Sequence, residues 1–206
     1  MDLESQPLSG LAPRERIVKT ASDLFYRFSV HTVGIDRIIA ESGVAKMTFY
    51  KHFPSKANLV ATYLRHKNIL WLQMLGTATG KAGLSPLERV LAIFDALDAS
   101  FQAPSFRGCP FVKGMAEFGP EGNSPEVQMT IAAHFEGLRA FVASLIAPLA
   151  LNEPKKAVVQ ILSLIQGSIV LAQSMRDPII AGANRDAAKL LLQAGLNPAF
   201  SLESPE

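Results

Sequence analysis

The stretch from Gly34 to Lys56, GIDRIIAESGVAKMTFYKHFPSK, decides how this chain is read. Ile35, Ile38 and Ile39 recur at spacings of three and four, which places them on one face of a short helix. Ser42-Gly43 then breaks that helix, because glycine takes the left-handed conformation that closes a helix at the least steric cost. Beyond the turn, Val44, Met47 and Tyr50 recur every three residues and, with Phe53, are expected to form the buried side of a second short helix. Lys46, Thr48, Lys51 and His52 are left to face outward. Two helices joined through a glycine-containing turn, the second exposing hydrogen-bond donors, match the arrangement in which a helix-turn-helix lays its recognition helix in the major groove of DNA.

Charge is distributed in keeping with that motif. The whole chain of 206 residues has a formal charge of only +2, but residues 11 to 67 carry ten Lys/Arg against four acids, a surplus of six. The remaining 139 residues to the C-terminus carry ten against twelve. A basic N-terminal segment beside a near-neutral remainder suggests that the former meets a polyanion, although charge alone fits ordinary surface scatter equally well. A hydrophobic content of 49% is ample for a core. The single cysteine, Cys109, has no partner for an internal disulfide or a metal site, which favours a reducing compartment. With no signal-like apolar segment and no run of about 18 uninterrupted apolar residues, the expected location is cytoplasmic, with no membrane partner. The most apolar segment, residues 157 to 175, is interrupted by Gln160, Ser163, Gln166, Ser168, Gln173 and Ser174, as in a buried helix of a soluble protein.

Elsewhere the periodicity is helical throughout. Pro13 opens a helix to about residue 28, with Ile17, Ala21, Leu24, Phe25 and Phe28 at helical spacing. Ser55 is the expected N-cap of a fourth helix running to about residue 78. Further helices are expected at Pro86 to Pro104, 109 to 118, 125 to 147, 154 to 175 and 184 to 195. No segment alternates like a strand and no repeat of solenoid period is present. The fold class is therefore all-α: a three-helix N-terminal bundle over residues 11–56, joined by the fourth helix to a larger helical body over residues 57–200.

These residues resemble the tetracycline-repressor-like (TetR/AcrR-type) transcriptional regulators. The resemblance lies in LFYRFSVHTVGIDRIIAESGVAKMTFYKHFPSKANLV, in the Leu-Phe pair ending the first helix, the Gly-Val turn, and the Thr-Phe-Tyr-x-His-Phe-x-x-Lys run. It covers residues 14 to about 62; RGCPFVKGMAEFG, 107 to 119, is similar to a segment of one branch of the family. It implies that Lys46 and Thr48 contact base edges or phosphate, that Tyr50 buries its ring and offers its hydroxyl to a phosphate, and that His52 and Lys56 also bind phosphate. Lys51 joins them as an exposed point charge suited to the backbone. Two departures stand out. Gly34 replaces the usual capping threonine or serine of the second helix, and Ser29 stands where a glycine commonly ends the first.

The resemblance further implies a DNA-binding transcriptional regulator, a repressor released from a palindromic operator when a small apolar effector enters the C-terminal domain, with activation left open. It implies a homodimer through the helices at about 154–175 and 184–195, whose apolar surfaces need cover. Candidate ligand-binding residues are Phe94, Leu97, Phe101, Phe111, Met115, Phe118 and Phe135, with Phe106 and Met129 beside them; each also serves as ordinary core. Cys109 is either a redox sensor or a small buried hydrophobe. No cofactor, metal or catalytic residue is expected. The alternative readings are a helical module that sequesters a small molecule without DNA, and an all-α enzyme, for which Glu117, Glu121, Glu126 and His134 form only a weak carboxylate–histidine grouping without the Glu-x-x-His signature.

Overall fold

A computed structural model of the chain describes residues 7–119 and 124–196. Among the described residues there are nine α-helices and no extended strand: α1 (Pro13–Arg27), α2 (Ile35–Ser42), α3 (Lys46–His52), α4 (Lys56–Thr79), α5 (Pro86–Phe101), α6 (Pro110–Phe118), α7 (Pro125–Ile146), α8 (Pro154–Met175) and α9 (Ile179–Ala194). The architecture is all-α, as expected. Glu121 and residues 197–200 lie outside the described residues.

The helix ends follow local chemistry. Pro13 occupies the first turn of α1, where its missing N–H costs nothing, and Glu15 accepts from the Ala12 N–H at 3.0 Å. Ser55 caps α4 by accepting from the Asn58 N–H at 3.1 Å. Ser85 and Glu88 form a reciprocal capping box at the start of α5, with the Ser85 N–H donating to Glu88 at 2.8 Å. One boundary differs from expectation. Helix α9 begins at Ile179 rather than near 184, because Asp177-Pro178 is itself a start signal: Asp177 Oδ1 accepts from the Ile179 N–H at 3.0 Å, and Gly182 is carried inside the helix.

The chain separates into two compact units. The first comprises the chain up to Ile69 together with Pro110–His134, and so gathers α6 and the start of α7 with the three N-terminal helices. Its core is formed by Ile17, Ala21, Leu24 and Phe25 of α1, Ile38 of α2, Phe49 of α3 and Leu59, Val60, Tyr63 and Leu64 of α4, all buried. Phe25 meets Tyr63 edge to face with centroids 5.6 Å apart. At Gly114 of α6 an added Cβ would lie 3.0 Å from Ile131 Cδ1 and 3.8 Å from Leu64 Cδ1, so the missing side chain lets α6 sit close to its neighbours.

The second unit comprises Leu70–Cys109 and the chain from Phe135 onward. Here α5, α8 and α9 pack on one another through Val90, Ile93, Phe94 and Leu97, Ile161, Ile165 and Ile169, and Ile180, Ala188 and Leu192. Arg185 of α9 pairs with Asp95 of α5 at 2.9 Å. Pro125–Leu149 and Pro154–Met175 are long and apolar enough to cross a membrane by length and composition alone. In α8 one apolar stripe, with Ile161, Ile165 and Ile169, packs on α5 and α9, while Val159, Val170, Leu171 and Met175 stay exposed.

One buried polar cluster is present in the first unit. His134 of α7 is only 3% exposed, its ring stacked on Phe111 at 3.5 Å, and its Nδ1–H donates to Asn68 Oδ1 at 2.7 Å. Burial lowers its pKa from 6.5 to about 4. Because the folded state resists protonation while the unfolded imidazole accepts it, this group's contribution is complete above pH 6.5 and is lost progressively down to about 4. Urea unfolding is expected to show stability falling over that interval by on the order of 3 kcal/mol, and His134→Gln is expected to flatten that part of the profile.

Candidate nucleic-acid interface

Helix α2 closes on Gly43, whose φ of +63° and ψ of 34° are left-handed. That conformation disfavours any residue with a Cβ, which explains the glycine at the turn. Val44 tucks into the core, Ala45 is extended, and α3 starts at Lys46. Helix α3 has only seven residues, so its orientation is set by the side chains it buries. Phe49 and Phe53 are both fully buried, with centroids 6.2 Å apart, and Arg14 of α1 lies over the Phe53 ring at 5.4 Å.

Val44 and Phe53 are buried as expected, but Met47 and Tyr50 are not. Met47 is 87% exposed and Tyr50 42% exposed, whereas Phe49 is at 0%. Within α3 the spacing of three through Met47 and Tyr50 gives the wrong phase; the operative spacing is four, Phe49 to Phe53. In a helix of two turns a shift of two residues, about 200°, exchanges inside for outside. The Tyr50 ring accordingly stands edge-on to Phe49, centroids 5.3 Å apart, instead of filling the core.

Lys46, Tyr50 and Lys51 are exposed, and Thr48 and His52 are half-buried. With Met47 they make an outward surface of two lysines, two hydroxyls, an imidazole and a thioether. Lys51 and His52 lie in the last turn, where cations suit the helix dipole. Lys46 Nζ is 3.8 Å from Asp36 Oδ1 of α2, an open solvent-exposed pair that holds the lysine only weakly. Lys56, half-buried at the start of α4, has its pKa lowered by burial, with the Glu117 carboxylate acting in the opposite direction. Gly34 offers no side-chain cap to α2, as its identity requires.

Residues 17–63 match the family described as bacterial regulatory proteins, tetR family. The fold extends the match to nearly the whole chain. A TetR-family transcriptional regulator from Streptomyces coelicolor is 27% identical with a TM-score of 0.82, covering 90% of this chain and 96% of that one. A TetR transcriptional regulator from Streptomyces avermitilis is 26% identical with a TM-score of 0.78, covering 90% and 98%. The chain is thus similar to TetR-type regulators in its N-terminal motif and in its fold. The reduced form of NemR from Escherichia coli, 19% identical, has the same fold with a TM-score of 0.75 over 86% of this chain and 95% of its own. No match was found among the curated proteins. The TetR-type matches are to regulators and not to enzymes.

The structure divides the candidate ligand-binding residues between the two units. Phe94 and Leu97 are fully buried among α5, α8 and α9 of the second unit, and Phe135 is half-buried in that unit. Phe101 and Phe106, with centroids 5.0 Å apart, line a cleft of about 480 Å³ with Asp98, Arg107, Gln173 and Arg176. Phe111, Met115 and Phe118 belong to the first unit: Phe111 is stacked on His134, Met115 is exposed and Phe118 stacks on His31. Met129, also in the first unit, is exposed. Sequence pattern offered no signal for the cleft, because its polar members are spread over 98–107 and 173–178. Cys109 is buried. Among the described residues no three His, Cys, Asp or Glu side chains gather at metal-binding distance.

The exchange of faces on α3 is directly testable. Phe49→Ala is expected to cost about 3–5 kcal/mol in urea unfolding, whereas Met47→Ala should stay within about 0.5 kcal/mol of the parent.

Proposed function

We propose that the chain is a homodimeric transcriptional repressor that binds a palindromic operator through α3 and is released by a small effector. The observation that supports this most is the outward surface of α3, rich in donors and held over two fully buried phenylalanines. Lys46 donates to guanine O6 and N7 or to a phosphate, and Thr48 meets a phosphate or a thymine methyl. Met47, exposed at the start of the helix, is suited to apolar contact with thymine methyls. The Tyr50 hydroxyl, Lys51, His52 and Lys56 bind phosphates and set register without reading sequence.

Dimerisation follows from the apolar residues that α8 and α9 leave exposed: Val159, Val170, Leu171, Met175, Ile179 and Leu190. Burying such a surface against its own copy gives two-fold symmetry, and two recognition helices about 34–36 Å apart then meet successive major grooves. For the effector, the cleft beside Phe101 and Phe106 suits a small molecule with an aromatic or apolar body and a polar end that reaches Arg176 or Gln173. Release requires that the effector bind the state with unproductive recognition-helix spacing more tightly than the DNA-bound state. Such a regulator works in the cytoplasm, where its DNA is.

The test begins with selection of duplexes from a random-sequence 30-base-pair library, followed by fluorescence anisotropy over a range of salt. The parent should bind the enriched duplex with an affinity that falls linearly on a log–log plot, and Lys46→Ala or Lys51→Ala should each reduce the slope by about one. Failure of the parent to bind any duplex at low salt would contradict the proposal.

A further inference from the structure

The loop of residues 28–34, which leads from α1 into α2, is held by a residue of α6. Glu117 Oε2 accepts from the Ser29 hydroxyl and from the His31 N–H, both at 3.2 Å. His31 Nε2–H donates to the Glu117 carbonyl at 2.8 Å; a carbonyl can only accept, so the ring proton is on Nε2. The imidazole also stacks on Phe118, centroids 5.5 Å apart. Within the loop, Ser29 Oγ accepts from the His31 N–H at 3.2 Å and Ser29 O accepts from Thr32 Oγ at 3.2 Å. One turn earlier on α6, Lys113 Nζ donates to Tyr26 O at 3.4 Å in the last turn of α1 and lies 5.3 Å from the Tyr26 ring centroid. All these residues belong to the first unit.

We propose that Glu117 is a positioning residue for DNA binding: its carboxylate and carbonyl, through Ser29 and His31, set the path of the loop that aims α2 and α3. The proposal rests on the DNA-binding reading above. Three features carry it. Ser29 is the position at which the chain departs from the glycine expected there, and its hydroxyl is spent on this contact. Gly34 gives α2 no side-chain cap, so the start of α2 takes its placement from the loop instead. The loop is met from α6 by both a carboxylate and a backbone carbonyl, which fixes direction as well as distance.

Charge makes the test discriminating. Glu117 acts electrostatically on Lys56, a residue assigned to phosphate. Removing a carboxylate there would by charge alone tighten DNA binding, so weakening reports positioning.

The experiment uses the full chain and the duplex enriched by the parent from the random library. Glu117→Ala is expected to weaken binding by about tenfold with an unchanged salt slope. Glu117→Gln, which keeps an acceptor oxygen, is expected to recover most of that loss, and Ser29→Gly should weaken binding in the same direction as Glu117→Ala. Unchanged or tighter binding by folded Glu117→Ala, or a Glu117→Gln variant as weak as Glu117→Ala, would overturn the proposal. Amide hydrogen exchange without DNA separates this from failure of the DNA-binding reading. The His31 amide should be protected in the parent and exchange faster in both Glu117→Ala and Ser29→Gly, whatever the parent does with DNA; equal exchange would overturn the holding contact itself.

Discussion

The burial of Phe49 and Phe53 is the constraint on which the proposed interface depends. A helix of seven residues has too few hydrogen bonds to persist alone. Two aromatic side chains on one face, set into a core built from α1, α2 and α4, give it both existence and direction. Once that face is committed, Lys46, Met47, Tyr50 and Lys51 have no option but solvent, and the same geometry that stabilises the unit presents the donors. Gly43 has a subordinate role: its left-handed backbone lets α3 begin at the angle its two phenylalanines require.

Around that anchor the first unit uses two kinds of support. Apolar contacts dominate at α3, and elsewhere in the unit polar contacts join them, with Asn68 holding His134 under Phe111 and Glu117 holding Ser29 and His31. Polar contacts of this kind are directional and respond to small displacements, which apolar packing does not. In the second unit the packing of α5, α8 and α9 leaves apolar residues of α8 and α9 exposed, the property expected of a surface awaiting a second copy.

Most of the architecture was legible in the sequence because helix punctuation is local. Pro13, Gly43, Ser55 and Pro86 each act within a few residues of themselves, and the helix ends they imply are present. Phase was harder than existence. In α7 or α8, six turns of periodicity average out an error, but α3 offers two turns, and Met47 took the place that belongs to Phe49. Helix α9 starts before the expected residue 184 because Asp177-Pro178 marks the boundary and Gly182 does not break the helix. Apolar character, the feature shared by the candidate ligand residues, does not distinguish a cavity wall from a core, and these residues are divided between the two units. The Ser29–Glu117 contact joins residues 88 positions apart, and no local pattern encodes it.

Chemical footprinting tests the central claim most directly. Dimethyl sulfate methylates guanine N7 in the major groove, the atom that Lys46 would approach. On the enriched duplex, guanine N7 is expected to be protected in two patches about one helical turn apart, with protection lost when Lys46 and Thr48 are both replaced by alanine. Bound protein that leaves every guanine N7 reactive, or protection unaffected by those replacements, would contradict it.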